Sequence, residues 1–202
     1  SDGMRMKNTF YLLLFWLGLS LEVPAQAIWS ADFPFAGELP SNEMTELYQD
    51  EDGFVWIGTT NGLSRYDGYR LQTFQTDYLH PNRLTHNHIT CIAEDSAYLW
   101  IGTRKGLNLI DKRTYRITTP GEAPLQTAHI RSLCSDGKSR IWIALNDRLL
   151  ESRFPYHEYT SINLPSPNGK PSYINSFFYE KGKERLWICT SNGIFVYTDS
   201  TQ

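Results

Sequence analysis

The residues able to do chemistry are few and scattered. His86-Asn-His88 is the one close histidine pair, and an H-x-H pair can bind a metal when a third ligand arrives from elsewhere. His88 and His129, however, take the same place in a repeat where Glu43 and Tyr173 stand in other copies, so that place reads as architecture. Asp50-Glu-Asp-Gly53 opens like a calcium loop but lacks the rest of the twelve-residue ligand pattern, and reads as an acidic hairpin turn. Cys91, Cys134 and Cys189 are odd in number and contain no C-x-x-C pair. They read as small buried hydrophobes, not as a disulfide framework or a redox site. No G-x-S-x-G, Walker loop or H-E-x-x-H occurs, and no motif places two carboxylates for glycoside hydrolysis. The expectation is no catalytic residue, no metal site and no cofactor, with the binding residues unassigned.

What must position any such group is a repeat. Trp56, Trp100, Trp142 and Trp187 are spaced 44, 42 and 45 residues apart, each followed by Ile. Around Trp56 the chain reads as strand, turn, strand, turn, strand. Asp52-Gly53 and Asn61-Gly62 are hairpin turns, because Gly accepts the positive φ that a tight turn demands. Phe54 to Thr59 is rich in aromatic and β-branched residues, as strands prefer. Gly62, Gly106 and Gly193 recur six residues after their tryptophans, whereas the third copy carries Arg148 there and must turn on Asn146-Asp147. A period of about 40–45 residues holding about four strands marks a β-propeller blade. The fold class expected is all-β, four-stranded antiparallel blades in about four repeats, over residues 43–75, 88–118, 129–162 and 173–202. A blade cannot bury both its faces alone, so the tryptophans are expected to pack between blades. Trp29 lies outside the pattern.

The outer strands are expected at Tyr69–Phe74 and Thr114–Ile117, with inter-blade connections at 75–83 and 118–125. Pro165 to Pro171 is a Pro/Gly-rich loop. The fourth copy reaches Tyr197, the counterpart of Tyr66, without a fourth strand. Two arrangements stay open. Either the repeats are part of a larger propeller, or the segment Trp29–Phe35 closes a ring of four. A partial propeller exposes a blade face, and large apolar patches seek partners. Loops carry function on a rigid scaffold. Here those are the loops around Asn42, Asn87 and Ala128, or those around Asn61, Arg104 and Asp147, and the sequence does not say which end is used.

Composition agrees with this class. The 202 residues are 14% aromatic and 20% charged, with 14 glycines and 10 prolines, which suits a turn-rich β protein and argues against disorder. A net charge of −3 without a basic block excludes nucleic acid as the expected partner. Residues 1–27 read as a secretory leader: basic Arg5 and Lys7, an apolar run from Phe10 to Leu21, and small Ala25 and Ala27 before the expected cleavage. That run is short for a membrane span, which needs about 20 residues. The mature part, 28–202, is expected to be exported and periplasmic.

The repeat Q-D-x-D-G-x-x-W-I-G-T-x-x-G-L-x-R-Y-D-G, running from Gln49 to Gly68, resembles the two-component regulator propeller repeat. With an export signal in front, the chain is similar to the start of a Bacteroides-type hybrid two-component sensor. That resemblance implies seven-bladed periplasmic propellers ahead of a β-sandwich, a membrane helix, a histidine kinase and a helix-turn-helix regulator. It also implies an oligosaccharide ligand released from glycans. The partners expected are such an oligosaccharide, and the remaining blades or another copy of the chain. A protein-interaction platform and, further off, an enzyme like the streptogramin lyases are the competing readings. The lyase reading wants a His and an acid together on loops at the channel, and the five histidines show no such arrangement.

Overall fold

The computed structural model describes Asp32–Thr198 apart from Tyr78, Pro81, Asp147 and the side chain of Asn168. The leader, Trp29 and the last four residues lie outside the described residues. The rest is an all-β fold of fifteen strands in four antiparallel sheets. Sheet one holds β1 (Met44–Gln49), β2 (Val55–Thr59), β3 (Gly62–Tyr66) and β4 (Leu71–Phe74). Sheet two holds β5 (Ile89–Glu94), β6 (Tyr98–Thr103), β7 (Gly106–Asp111) and β8 (Ile117–Thr118). Sheet three holds β9 (Ser132–Ser135), β10 (Arg140–Ala144), β11 (Leu149–Arg153) and β12 (Tyr159–Ile162). Sheet four has three strands among the described residues, β13 (Ile174–Glu180), β14 (Arg185–Thr190) and β15 (Gly193–Thr198). In each sheet the strands lie in chain order, as hairpin after hairpin requires. The first strands neighbour one another in turn, β1 on β5, β5 on β9 and β9 on β13.

The ladder puts the four tryptophans in one register. Trp56 lies opposite Tyr48, Trp100 opposite Ala93, Trp142 opposite Cys134 and Trp187 opposite Phe178. Because side chains alternate across a strand, one face of each sheet carries Trp and the other carries the Ile that follows it. Three apolar clusters fill the spaces between sheets. The first joins Trp56, Leu63 and Phe74 to Ile89, Ile92 and Ile101. The second joins Trp100, Leu107 and Leu109 to Leu133, Ile141 and Ile143. The third joins Trp142 and Leu149 to Ile174, Leu186 and Ile188. Each is the Trp face of one sheet against the Ile face of the next.

The repeat motif has local causes. In the acidic turn, Trp56 Nε1 donates to Asp50 Oδ2 and Phe54 N to Asp50 Oδ1, at 2.7 and 2.8 Å. Asp95 takes the same part for Trp100, at 2.7 Å, and also accepts from the Tyr156 hydroxyl. Both carboxylates are buried, so their hydrogen bonds to backbone and indole supply the pairing a buried charge needs. The Thr of each Trp-Ile-Gly-Thr run locks the next hairpin. Thr59 Oγ1 donates to the Gly62 carbonyl at 2.9 Å, and Thr103 to that of Gly106 at 2.7 Å. Gly106 sits at φ +102°, and a Cβ there would meet the Gln126 carbonyl oxygen at 2.5 Å. The third copy has Leu145 in place of that Thr, and its turn closes instead through Leu145 N donating to the Arg148 carbonyl.

Several expectations need correction. The outer strands are shorter than the alternation suggested, beginning at Leu71 and Ile117. Asp67 and Asp111 accept backbone N–H bonds from residues two and three positions on, and so hold Tyr69–Arg70 and Arg113–Thr114 in turns. The connection at 118–125 contains part of a short helix, α1 (Ala123–Thr127), with Pro124 in its first turn. Closure of a ring of four by the segment Trp29–Phe35 gains no support from its described end: Phe35 packs against Tyr66 of sheet one, with ring centroids 5.4 Å apart. Cys189 is exposed, whereas Cys91 is buried and Cys134 half-buried. Trp187 is only half-buried, because no further sheet covers it among the described residues.

Candidate functional site

The loops before the first strands and the hairpins between second and third strands are, from the sequence, two alternative places for a site. The structure brings them to one end. Thr60 N donates to the Glu43 carbonyl, Arg104 N to that of His88, and Ser191 N to that of Tyr173, at 2.9–3.1 Å. The Ile130 amide donates to Thr103 and the Gly106 amide to Ala128. The antiparallel meander requires this, because each first strand begins beside the point where the second one ends: Met44 pairs with Thr59, Ile89 with Thr103 and Ile174 with Thr190.

In sheets one and four an asparagine staples this end. Asn61 Nδ2 donates to the Pro40 carbonyl at 3.1 Å, and its own side-chain oxygen accepts from Asn87 Nδ2. Asn192 Nδ2 donates to the Pro171 carbonyl and to Ser172 Oγ, at 3.0 and 3.1 Å. Sheet two has Lys105 at the same place in the hairpin, with Arg104 before it, and both side chains are exposed. No staple forms there. Thr85 and Asn108 hold the loop instead, Asn108 Nδ2 donating to Thr85 Oγ1 at 2.7 Å and Asn108 Oδ1 accepting from Thr85 N at 2.9 Å. The two cations are therefore spare of structural duty among the described residues.

Around them lie half-buried His86, His88 and His129 and exposed Arg131. His88 N donates to His86 Nδ1 at 3.0 Å, and Arg131 Nε reaches the Ile174 carbonyl at 3.3 Å. All three histidines are held below the ordinary imidazole pKa, first by desolvation and then by nearby cations. Arg104 acts on all three, Lys105 on His86 and Arg131 on His129, while Glu43 pulls His88 the other way. The end of sheets two and three is thus a cationic, donor-rich rim carrying neutral imidazoles at neutral pH. Such a rim can hold hydroxyl or anionic oxygens by hydrogen bonding.

The sequence-predicted residues divide accordingly. Trp56, Trp100 and Trp142 are buried between sheets and Trp187 faces outward. Gly62, Gly106 and Gly193 turn the hairpins at positive φ. None of these seven supplies a side-chain donor to the rim. His86 and His88 do, joined by His129, yet among the described residues no three His, Cys, Asp or Glu could hold a metal ion. Asp50 is spent on Trp56 and Phe54. Burial raises the Cys91 thiol to about 12 and the Cys134 thiol to about 11, so neither is a ready nucleophile. Sequence reasoning missed Arg104 and Lys105 as a pair. The signal that could have found them is their departure from the Asn of the sister hairpins.

The first hairpin and its entry loop, in two of the copies, are what the family comparison finds. The model of the two-component regulator propeller matches residues 38–61 and 83–105. Two stretches of the chain are therefore similar to that repeat. Solved structures agree with that assignment. The extracellular domain of the hybrid two-component system BT4673 of B. thetaiotaomicron is 26% identical, with a TM-score of 0.62, over 78% of this chain and 20% of that one. The corresponding domain of BT3049 from the same organism is 19% identical, with a TM-score of 0.67, over 89% of this chain and 24% of that one. A virginiamycin B lyase of Staphylococcus aureus shares the fold at 16% identity and a TM-score of 0.55, over 79% of this chain and 56% of that one. The propeller repeats of this chain thus span about a fifth to a quarter of the two sensor domains. No curated protein matches the chain significantly. Among the described residues no helix is long and apolar enough to cross a membrane.

Proposed function

We propose that this chain is a ligand-sensing propeller module of a hybrid two-component sensor, exported to the periplasm, and that it responds to glycan-derived oligosaccharides. The observation that carries the reading is the pairing of regulator propeller repeats with likeness to the extracellular domains of two such systems. The leader-like residues 1–27 support export. The four sheets are then part of a larger seven-bladed ring, whose remaining blades, or another copy of the chain, cover the open face of sheet four.

The rim of Arg104, Lys105, His86, His88, His129 and Arg131 is the binding end in this reading. Its exposed cations and neutral imidazoles are donors suited to sugar hydroxyls and, more strongly, to uronate or sulfate oxygens. The role in this reading is recognition rather than turnover, which the likeness to extracellular sensor domains supports.

A thermal-shift screen with neutral and acidic oligosaccharides tests it. A ligand at 100 times its dissociation constant stabilises by about 2.7 kcal/mol, so a hit is expected to raise the melting temperature by several degrees. Replacing Arg104 and Lys105 by alanine should abolish that shift without lowering the melting temperature of the free protein. Flat responses across the whole panel would favour a protein-interaction platform instead.

A further inference from the structure

A groove opens beside the hairpin that carries Arg104 and Lys105. One wall is the connection from sheet one to sheet two, with Thr76, Arg83 and Thr85. The other is β8 and the connection after it, with Thr118, Thr119 and Gln126. Leu84 and Ile117, both buried, form the floor. Its volume of about 420 Å³ falls within the range of about 300–1,000 Å³ for small-molecule sites. Both walls belong to connections inside the row of sheets, between sheets one and two and between sheets two and three.

The groove and the rim share a border. A Cβ on Gly106 would stand 3.0 Å from Thr85 Oγ1 and 2.5 Å from the Gln126 carbonyl oxygen, so the hairpin touches both walls. Thr85 is followed directly by His86 of the rim. The walls are also pinned before any ligand arrives. Asn82 Oδ1 accepts from Ile117 N at 2.5 Å, and Asn82 Nδ2 donates to the Tyr115 carbonyl at 3.3 Å. Thr76 N donates to Asn87 Oδ1 at 2.6 Å, and Gln126 Nε2 to the Gly121 carbonyl at 3.2 Å. A site whose walls are already ordered spends little binding energy on ordering them.

The lining selects by chemistry. The hydroxyls of Thr76, Thr118 and Thr119 make no hydrogen bond among the described residues. An apolar ligand would desolvate them without giving a partner, which costs free energy. A polyhydroxylated ligand pairs with them as donor and acceptor. The lining contains exposed Arg83 and no carboxylate, so negative charge nearby is tolerated. We propose that this groove is a second sugar subsite: a linear uronate-bearing oligosaccharide places one carboxylate on Arg104 and Lys105 and the hydroxyls of its neighbouring unit on Thr76, Thr118 and Thr119. This rests on the reading of the rim as the binding end, and makes chain length as well as charge the basis of selection.

Calorimetric titration of the full chain tests it, with monomers and tetramers of galacturonate, mannuronate and hyaluronan as probes. For at least one of the three, the tetramer is expected to bind about tenfold or more tighter than the monomer, as two or three added hydrogen bonds allow. Thr118→Val with Thr119→Val keeps the side-chain shape at two exposed positions and removes both hydroxyls, and Thr76→Val does the same on the opposite wall. Each should reduce the tetramer's advantage several-fold, while Arg104→Ala with Lys105→Ala weakens monomer and tetramer together. Tetramers that bind no tighter than monomers, or an advantage untouched by valine on both walls, overturn the subsite and leave the rim reading standing. Tetramer binding that needs the threonines but not Arg104 and Lys105 keeps the groove and overturns the rim. Absence of binding by every probe overturns both.

Discussion

Sheets two and four are built on one repeat and end in opposite conditions. Both carry a Trp-Ile strand, a Thr that locks the hairpin and a Gly that turns it. In sheet two, Trp100 is fully buried, its indole N–H bonded to a buried Asp95 that also holds Tyr156. In sheet four, Trp187 is half-exposed, and its N–H goes to Glu180, which is shared with Lys183 and Arg185. Sheet three stands between them, with Trp142 buried and its Nε1 without a hydrogen-bond partner among the described residues. The lesson is that the repeat specifies a strand register and a hairpin, while burial comes from the neighbour. Identical side chains are core in one copy and surface in another.

The largest contrast should come from the tryptophans themselves. Trp100→Ala is expected to cost about 3–5 kcal/mol, the range for a fully buried aromatic, and Trp187→Ala well under half of that. Urea unfolding of both variants measures it, and equal losses would mean that sheet four is covered in solution. Next is the indole acceptor. Asp95→Ala leaves a buried N–H and a hydroxyl unpaired, at about 1–3 kcal/mol for such a group, whereas Glu180→Gln should be much milder because its surroundings are wet.

Close approach of the sheets sharpens the comparison further. Gly102→Ala would place its Cβ 2.4 Å from Cys91 Sγ and 2.9 Å from Ile130. A loss of about 1–3 kcal/mol is expected from overpacking. Cys189→Ala, at the same place in sheet four, should lie within about 0.5 kcal/mol of the parent, as surface changes do. An alkylating reagent should modify Cys189 in the native protein within minutes and leave buried Cys91 untouched until unfolding, which mass spectrometry of the peptides reads directly.

The smallest effect is in pH. Hydrogen bonds from Trp187 first, then Lys183 and Arg185, hold the Glu180 carboxyl down at about 2. Its folded value lies below the unfolded one, so its stabilisation is complete above about pH 4.5 and is lost as pH falls toward 2. The three rim histidines are also lowered, so the unfolded chain binds protons first. Their linkage begins as pH drops below about 6.5 and again lowers stability on the acid side. Unfolding midpoints should therefore decline in two steps, and Glu180→Gln should shrink the lower one without removing it, because backbone hydrogen bonds also hold the Asp67, Asp77 and Asp111 carboxyls below their ordinary value.

Much of this is legible in the sequence. The Trp spacing, the Asp-Gly and Asn-Gly turns and the alternation around them point to blades, because hairpin chemistry is local and a period-2 pattern has one reading on a pleated strand. The acidic turn reads from sequence only as a turn. That Asp50 and Asp95 bind indoles needs the strand register, which carries each Trp back beside its own turn. The rim is harder. The two loop sets are far apart in sequence, but an antiparallel meander returns each second strand to the end where its first began, so the strand order alone puts them at one end. Arg104 and Lys105 look like an ordinary solvated hairpin until they are set against Asn61 and Asn192 in the same fold.

Sequence alone determined the repeated Trp strand and the Gly hairpins beside it, since each hairpin is decided by residues within a few positions of one another. Tertiary structure decided which Trp is core, which Cys is shielded, and which end collects the cations. Those depend on what lies across the gap between sheets, and packing against a neighbour is a property of the pair rather than of either strand.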